Sequence, residues 1–228
     1  MKFNYPSLTS TTFNNQRWYA SSNGDYYPSV TTVLGGTMAI EKVKSLDNWR
    51  NSLGHKEADK RTKDAGDNGT VLHTLVERYM KKEKLFDPIP GYTITDKNKG
   101  LFNALKNKVD KIDDIWGIEE SMYSDILQVA GRCDCIGTYK GVPSIIDFKT
   151  SGRVKNDKDI EDYKFQLAAY CIMHNELFGT EIEQGVILMV ADNGFPLEFR
   201  VELVPFFEPM FERVETFYDN LNKKLKIA

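Results

Sequence analysis

The stretch from Gln128 to Lys149 restricts the fold more than any other part of the chain. Gln128–Tyr139 and Val142–Asp147 read as strands, and only Lys140-Gly141 separates them, which predicts a tight hairpin. A turn centred there makes facing positions sum to 281, and Asp134 and Asp147 satisfy that sum. The two carboxylates are therefore expected opposite each other on one face, with Lys149, two residues past Asp147, on the same face. Like charges across a strand pair repel unless something compensates. Ile145-Ile146 and Val129-Ala130 point to strands buried on both faces, and buried acids need partners or a metal. Two oxygen ligands beside a lysine suit a hard divalent cation. An exposed Asp–Lys cluster is the other reading of the same spacing.

The rest of the pattern places this hairpin in an α/β layer. Arg17–Ala20 and Asp25–Tyr27 flank the turn residues SSNG as a small hairpin, and the hydroxyls of Pro28–Thr32 suit the cap of a helix beginning near Val33. Ile40–Asp64 reads as helical with a break at Gly54. Gly69-Thr70 is expected to open an amphipathic helix through about Lys84, ended by Pro88 and Pro90, with Val71, Leu72, Leu75, Val76 and Tyr79 at helical spacing. A polar helix is expected over Asp96–Trp116, a strand over Ile118–Tyr123, and a helix from about Asp159 to Phe178 stopped by Gly179. Strands Gln184–Val190 and Leu197–Leu203 flank Asp192-Asn193-Gly194, and a closing helix covers roughly Pro205–Lys224. A central mixed sheet must then be flanked by helices to bury both faces.

Composition narrows the function class. The longest apolar run, around Val186–Ala191, is too short to span a bilayer, and the opening MKFNYPSLTS lacks the apolar core of a secretory signal. A cytoplasmic place is the expectation, the host cytoplasm if the chain is phage-encoded. Cys133, Cys135 and Cys171 are too few for an iron–sulfur cluster and lack the spacing of a zinc site. Cys133 and Cys135, alternate residues of one strand, are expected on the same face as buried small side chains. The net charge of −3 argues against indiscriminate coating of nucleic acid but permits a local basic groove. Lys42–Lys63 is that stretch, with seven basic residues against three acidic ones.

Two further pairs stand at helical spacing: His73 with Glu77, and Gln166 with Tyr170. Each alone passes as ordinary packing. In chain order, GTVLH with its following Glu77, then GRCD, IDFKT and QLAAY resemble the RecB-type branch of the PD-(D/E)XK nucleases, a branch of recombination exonucleases and CRISPR adaptation nucleases. PSVTTVL, NWRNSLG and GTVLHTLVERY are most similar to the mitochondrial genome maintenance exonucleases and their bacteriophage relatives. The likeness runs from about Tyr27 to Tyr170 and more weakly beyond.

That resemblance implies a restriction-endonuclease-like core over 69–228, preceded by a hairpin and basic helical DNA-capture region over 1–68, in one compact domain. It implies Asp134 and Asp147 as the main metal ligands together with the Phe148 backbone carbonyl, His73 as a further ligand, and Glu77 as a second ligand from that helix or the holder of a metal-bound water. Lys149 would orient the attacking water or stabilise phosphate charge, and Gln166 and Tyr170 would position the site and contact the DNA backbone. The third motif reads Asp-Phe-Lys where many relatives carry Glu-x-Lys, a change the family tolerates. One or two Mg²⁺ or Mn²⁺ ions are expected, with Mn²⁺ favoured by an imidazole ligand.

For DNA contact the leading residues are Trp49, Arg50, Lys56 and Arg61, with Thr150 beside the site. Trp49 either stacks on an unpaired base or packs in the core. Ser29, Thr31 and Thr32 either meet a phosphate or simply cap a helix. The expected activity is metal-dependent exonuclease action on single-stranded DNA ends, alone or with a helicase or recombinase. An endonuclease or structure-specific nuclease with the same site, or a DNA-binding module without catalysis, are the competing readings.

Overall fold

The computed structural model describes residues 2–21 and 24–227, the side chains of residues 224–227 excepted. A three-stranded antiparallel sheet, β1 (Thr9–Phe13), β2 (Gln16–Ala20) and β3 (Tyr26–Pro28), leads into helices α1 (Val30–Gly36), α2 (Ile40–Leu53), α3 (His55–Met80) and α4 (Asp96–Val109). Next come β4 (Ile112–Ser124), β5 (Val129–Tyr139) and β6 (Val142–Ser151), then α5 (Glu161–Phe178), β7 (Gln184–Ala191), β8 (Pro196–Glu202) and α6 (Phe207–Ile227). These five strands form one sheet in the order β4-β5-β6-β7-β8. Hairpins make its antiparallel pairs, and the one parallel pair, β6 with β7, is joined by the crossover helix α5, as parallel strands require. The expected mixed sheet between helices is therefore what the chain builds.

Each face of the sheet has its own core. Ile136, Ile145, Ile187 and Met189 pack with Val33, Leu167, Met173, Met210 and Phe217 from α1, α5 and α6. Ile146, Phe148, Val186 and Leu188 pack with Leu72, Leu75, Phe102 and Leu105 from α3 and α4. β7 is buried along nearly its whole length, which explains why its sequence lacks the alternation of a half-exposed strand. The β5–β6 turn places Lys140 and Gly141 at φ +52° and +78°, the pair of positive values that a two-residue hairpin of the right twist needs.

Several boundaries differ from those read off the sequence. Gly69-Thr70 does not open a helix: α3 runs unbroken from His55 to Met80, carrying Gly66 and Gly69 within it at about 1 kcal/mol each relative to alanine. The polar helix stops at Val109, and 112–116 belongs to β4. Register shifts between Ile112 and Asp114 and between Ile115 and Gly117 erase the period of two that would have marked that strand. β1 escaped the reading because its uncharged residues TSTTF are all exposed and show no alternation, while Asn14 and Asn15, at φ +49° and +60°, form its turn. α1 begins at Val30 rather than Val33, with Ser29 as its cap accepting the Thr32 N–H at 3.1 Å. The expected SSNG turn includes Ser22 and Asn23, which lie outside the described residues. Among the described residues no helix is long and apolar enough to cross a membrane.

One core group carries a pH-dependent consequence. His174 of α5 is fully buried, with Nδ1 2.7 Å from Thr180 Oγ1 and Nε2 3.2 Å from Tyr5 Oη. Thr180 donates its hydroxyl proton to Asn175 Oδ1, so it accepts from His174, which fixes the neutral Nδ1–H tautomer with Nε2 accepting from Tyr5. Burial, with Lys2 adding to it, pushes the imidazole down from 6.5 to about 4. The unfolded chain takes up this proton more readily than the folded one. The associated stability is therefore complete above about pH 6.5 and lost as pH falls toward 4, amounting to roughly 3 kcal/mol over the window. Urea unfolding at pH 7 and pH 4.5 should show His174→Gln losing about that much less than the natural protein between the two. Equal losses would place the acid sensitivity elsewhere.

Candidate active site

The hairpin register holds as the turn predicts from Tyr139–Val142 down to Cys135–Ile146, and there it ends. Beyond that step Asp134 Oδ2 accepts the Phe148 N–H at 2.9 Å, so a carboxylate takes a bond that a strand partner would otherwise accept. Asp134 and Asp147 consequently do not form the cross-strand pair expected of them. Side-chain alternation slips at the same place: Cys133 and Ile136 pack in the core under α5, whereas Cys135 and Tyr139 pack in the core under α3 and α4. The two cysteines do not share a face. The neighbouring strand has the matching irregularity. Glu119 of β4 adopts φ +55°, a strained value for a residue with a Cβ, and the β4–β5 ladder skips the Glu119–Asp134 pair between Ile118–Cys135 and Glu120–Cys133 without changing register.

Glu119 and Asp134 both line a cavity of about 410 Å³, which His73 enters from α3. His73 Nδ1 lies 3.5 Å from Asp134 Oδ2 and 3.9 Å from Glu119 Oε1. One ligand atom from each of the three falls within 4.8 Å of the others, which suits a single cation. Arg132 fixes the second Glu119 oxygen at 2.9 Å. On β6, Lys149 Nζ is 2.6 Å from Asp147 Oδ1, and Gln166 Nε2 from α5 reaches the same oxygen at 3.3 Å. Asp147 Oδ2 is buried and has no hydrogen-bond partner. Such an oxygen costs free energy unless something approaches it. Tyr170, four residues after Gln166, presses against Gly131: a Cβ at that glycine would sit 2.8 Å from Tyr170 Cε1, so only glycine admits the ring there.

The charges are mutually set. Burial alone would lower His73, but its interactions with Asp134 and Glu119 outweigh that and raise it to about 10. Burial would raise Asp134, yet the His73 charge and the Phe148 N–H hold it well below the usual carboxylate range. Burial pushes Asp147 up, Lys149 opposes this, and the Asp134 charge adds to it. Burial works against the Lys149 ammonium, and the two aspartates more than restore it. The donor set, one imidazole and carboxylate oxygens with one oxygen orphaned, fits a divalent ion of the Mn²⁺ or Mg²⁺ class.

Of the residues singled out from the sequence, the structure brings His73, Asp134, Lys149, Gln166 and Tyr170 to one cavity, with Ser29, Thr31 and Glu77 on its wall and Asp147 behind Lys149 and Gln166. Glu77 is bonded to Lys81 at 2.6 Å and is not in the three-residue ligand group. The residue that sequence reasoning missed is Glu119, whose signal is a backbone conformation and not a motif. Thr32 lines an adjoining cavity, and Thr150 lies against Gly69, 3.8 Å from where a Cβ would be. Trp49, Arg50, Lys56 and Arg61 do not line the site cavity. Trp49 is 39% exposed and outside the core. Arg50 pairs with Asp59 and Arg61 with Glu57, so part of the basic stretch is neutralised within α2 and α3 themselves. Exposed pairs of this kind are worth at most about 1 kcal/mol and exchange readily.

No family model matches the chain. It is similar to the mitochondrial genome maintenance exonuclease 1 proteins of Xenopus tropicalis (25% identical over 182 residues), Mus musculus (24% over 178) and Homo sapiens (23% over 181). Each alignment takes in 74% of this chain and 50–51% of the relative. The chain thus spans about half the length of the curated relatives it matches. A solved structure from Eubacterium rectale superposes with a TM-score of 0.49 at 11% identity, over 70% of this chain and 67% of that one, a likeness too slight to carry an argument.

Proposed function

We propose that this chain is a divalent-metal-dependent deoxyribonuclease of the RecB-type PD-(D/E)XK kind that degrades DNA from single-stranded ends. The observation that carries the reading is the convergence of His73, Glu119 and Asp134 in an open cavity, beside a buried Asp147 with an unpartnered oxygen and a charged Lys149. Named exonucleases among the similar proteins support the same class.

His73, Glu119, Asp134 and Asp147 would hold the ion or ions, which supply Lewis-acid activation of water and neutralise charge on the phosphate. The chain does the positioning. Gln166 and Lys149 converge on one Asp147 oxygen and leave the other free to ligate. Lys149, kept protonated by the two aspartates, lines the cavity and offers its ammonium to the phosphate or to the attacking water. Tyr170 closes the wall beneath Gly131.

The path of α2 and α3 supports action at ends. Lys42 at the start of α2 is ion-paired to Asp162 of α5, and α2 runs from there to α3, whose Gly66, Gly69 and His73 line the same cavity as Gln166 and Tyr170 of α5. The chain thus links two elements that line the cavity, an arrangement suited to enclosing a strand that enters by its end. End-labelled linear single strands, duplexes and closed circles, each with Mg²⁺, Mn²⁺ or chelator, test the whole reading. Linear single strands should be shortened with either metal, Mn²⁺ at least matching Mg²⁺, and circles should survive. Rapid cutting of circles favours an endonuclease, and purified protein that binds DNA without cutting it favours a binding module.

A further inference from the structure

Beside the site cavity lies a second one of about 480 Å³, lined by Asn15, Gln16, Arg17, Thr31, Thr32, Gly35 and Gly36. Arg17 and Thr31 line both, so the two cavities adjoin at these residues. No acid lines the second cavity; its surface consists of amides, hydroxyls, an arginine and the glycines. The site cavity, by contrast, carries three carboxylates, Glu77, Glu119 and Asp134, among its lining residues. Arg17 carries an exposed side chain on a backbone tied to α1. Its N–H donates to Thr32 Oγ1 at 3.1 Å, and its carbonyl accepts from the Ser29 N–H at 2.8 Å and the Thr32 hydroxyl at 3.2 Å. Among the described residues, the cations on the site cavity wall include Arg132, bound to Glu119, and Lys149, bound to Asp147, whereas no carboxylate lies within ion-pair distance of Arg17.

We infer that Arg17 binds a backbone phosphate of the substrate next to the one being hydrolysed, and that the second cavity seats the nucleotide attached to it. A guanidinium offers paired N–H donors that match phosphate oxygens, and a pocket lined by donors and no acid suits a polyanion. The inference rests on the nuclease reading and extends it to a residue that no motif marks. It places substrate length, and not reactivity alone, under the control of the β1–β2 hairpin.

The test uses the full chain with Ca²⁺ in place of the active metal, and a fluorescein-labelled single strand of ten nucleotides. Arg17→Gln is expected to weaken binding about tenfold and to flatten the dependence of log affinity on log salt by about 0.7, the value for one phosphate contact on a single strand. With Mn²⁺, its loss on bis-(4-nitrophenyl) phosphate, which has no neighbouring phosphate, should be much smaller than its loss on the strand. Affinity and salt slope both unchanged would overturn the assignment. So would equal losses on the strand and the small diester, since those would indicate damage to the site itself. If the natural protein cuts DNA while Arg17→Gln behaves identically, this inference fails and the nuclease reading stands; if the natural protein neither binds nor cuts DNA, both fall.

Discussion

Lys149→Met is expected to reduce hydrolysis of linear single-stranded DNA by about a thousandfold, the scale on which removal of one preorganised electrostatic group slows a reaction of developing charge. The same substitution should lower stability in chelator by roughly 3–5 kcal/mol, because Asp147 is left as a buried carboxylate without its ammonium. Those two losses have different origins, and a double variant separates them. Asp147→Asn with Lys149→Met removes both charges at nearly constant volume, so most of the stability should return. Activity should not, since the ammonium and the anionic ligand are both gone. Urea midpoints in chelator and initial rates with Mn²⁺ measure the two effects side by side. Recovery of DNA cleavage in the double variant, or a single variant within tenfold of the natural rate, would make the pair a structural ion pair and nothing more.

The parts of this molecule that were legible in its sequence are those governed by local rules. Lys140-Gly141 set a register that the strands follow from Tyr139–Val142 to Cys135–Ile146, and this alone brought Asp134, Asp147 and Lys149 into one neighbourhood. Helical spacing aligned His73 with the α3 face over the sheet and Gln166 with Tyr170 on α5. What failed were inferences that extended a regular period through the site. The period of two breaks at Asp134 and Glu119, which sends Cys133 and Cys135 into different cores and turns Glu119 toward His73. No propensity scale marks that event, because it is a tertiary distortion at a place where two strands part. The role given to Glu77 came from the family resemblance, and helical spacing only set it on the face of His73. Adjacency along a helix places a side chain on the right face but does not say what it bonds, and Lys81 lies equally close on the other side.

Glu119→Gln is expected to weaken Mn²⁺ binding by at least about 10–100-fold, the loss already associated with removing a mere outer partner of a ligand. Glu77→Gln, which breaks only the contact with Lys81, should change it far less. The reason lies in which carboxylate can reach the ion: Glu119 shares a 4.8 Å ligand group with His73 and Asp134, and Arg132 holds its other oxygen so that little ordering remains to be done on binding. The metal-free charge state adds a second, independent readout. His73 is raised to about 10, so at neutral pH it carries a proton that an imidazole ligand must give up. Mn²⁺ binding should therefore release close to one proton at pH 7, and the apparent affinity should climb with pH until it passes that value. Glu119→Gln removes one of the interactions that raise His73, so it should release less than the natural protein while binding more weakly. Isothermal titration in two buffers of different ionisation heat measures affinity and proton count together. A larger loss from Glu77→Gln than from Glu119→Gln would restore the ligand set implied by the motif alone, and binding without proton release would remove His73 from the coordination sphere.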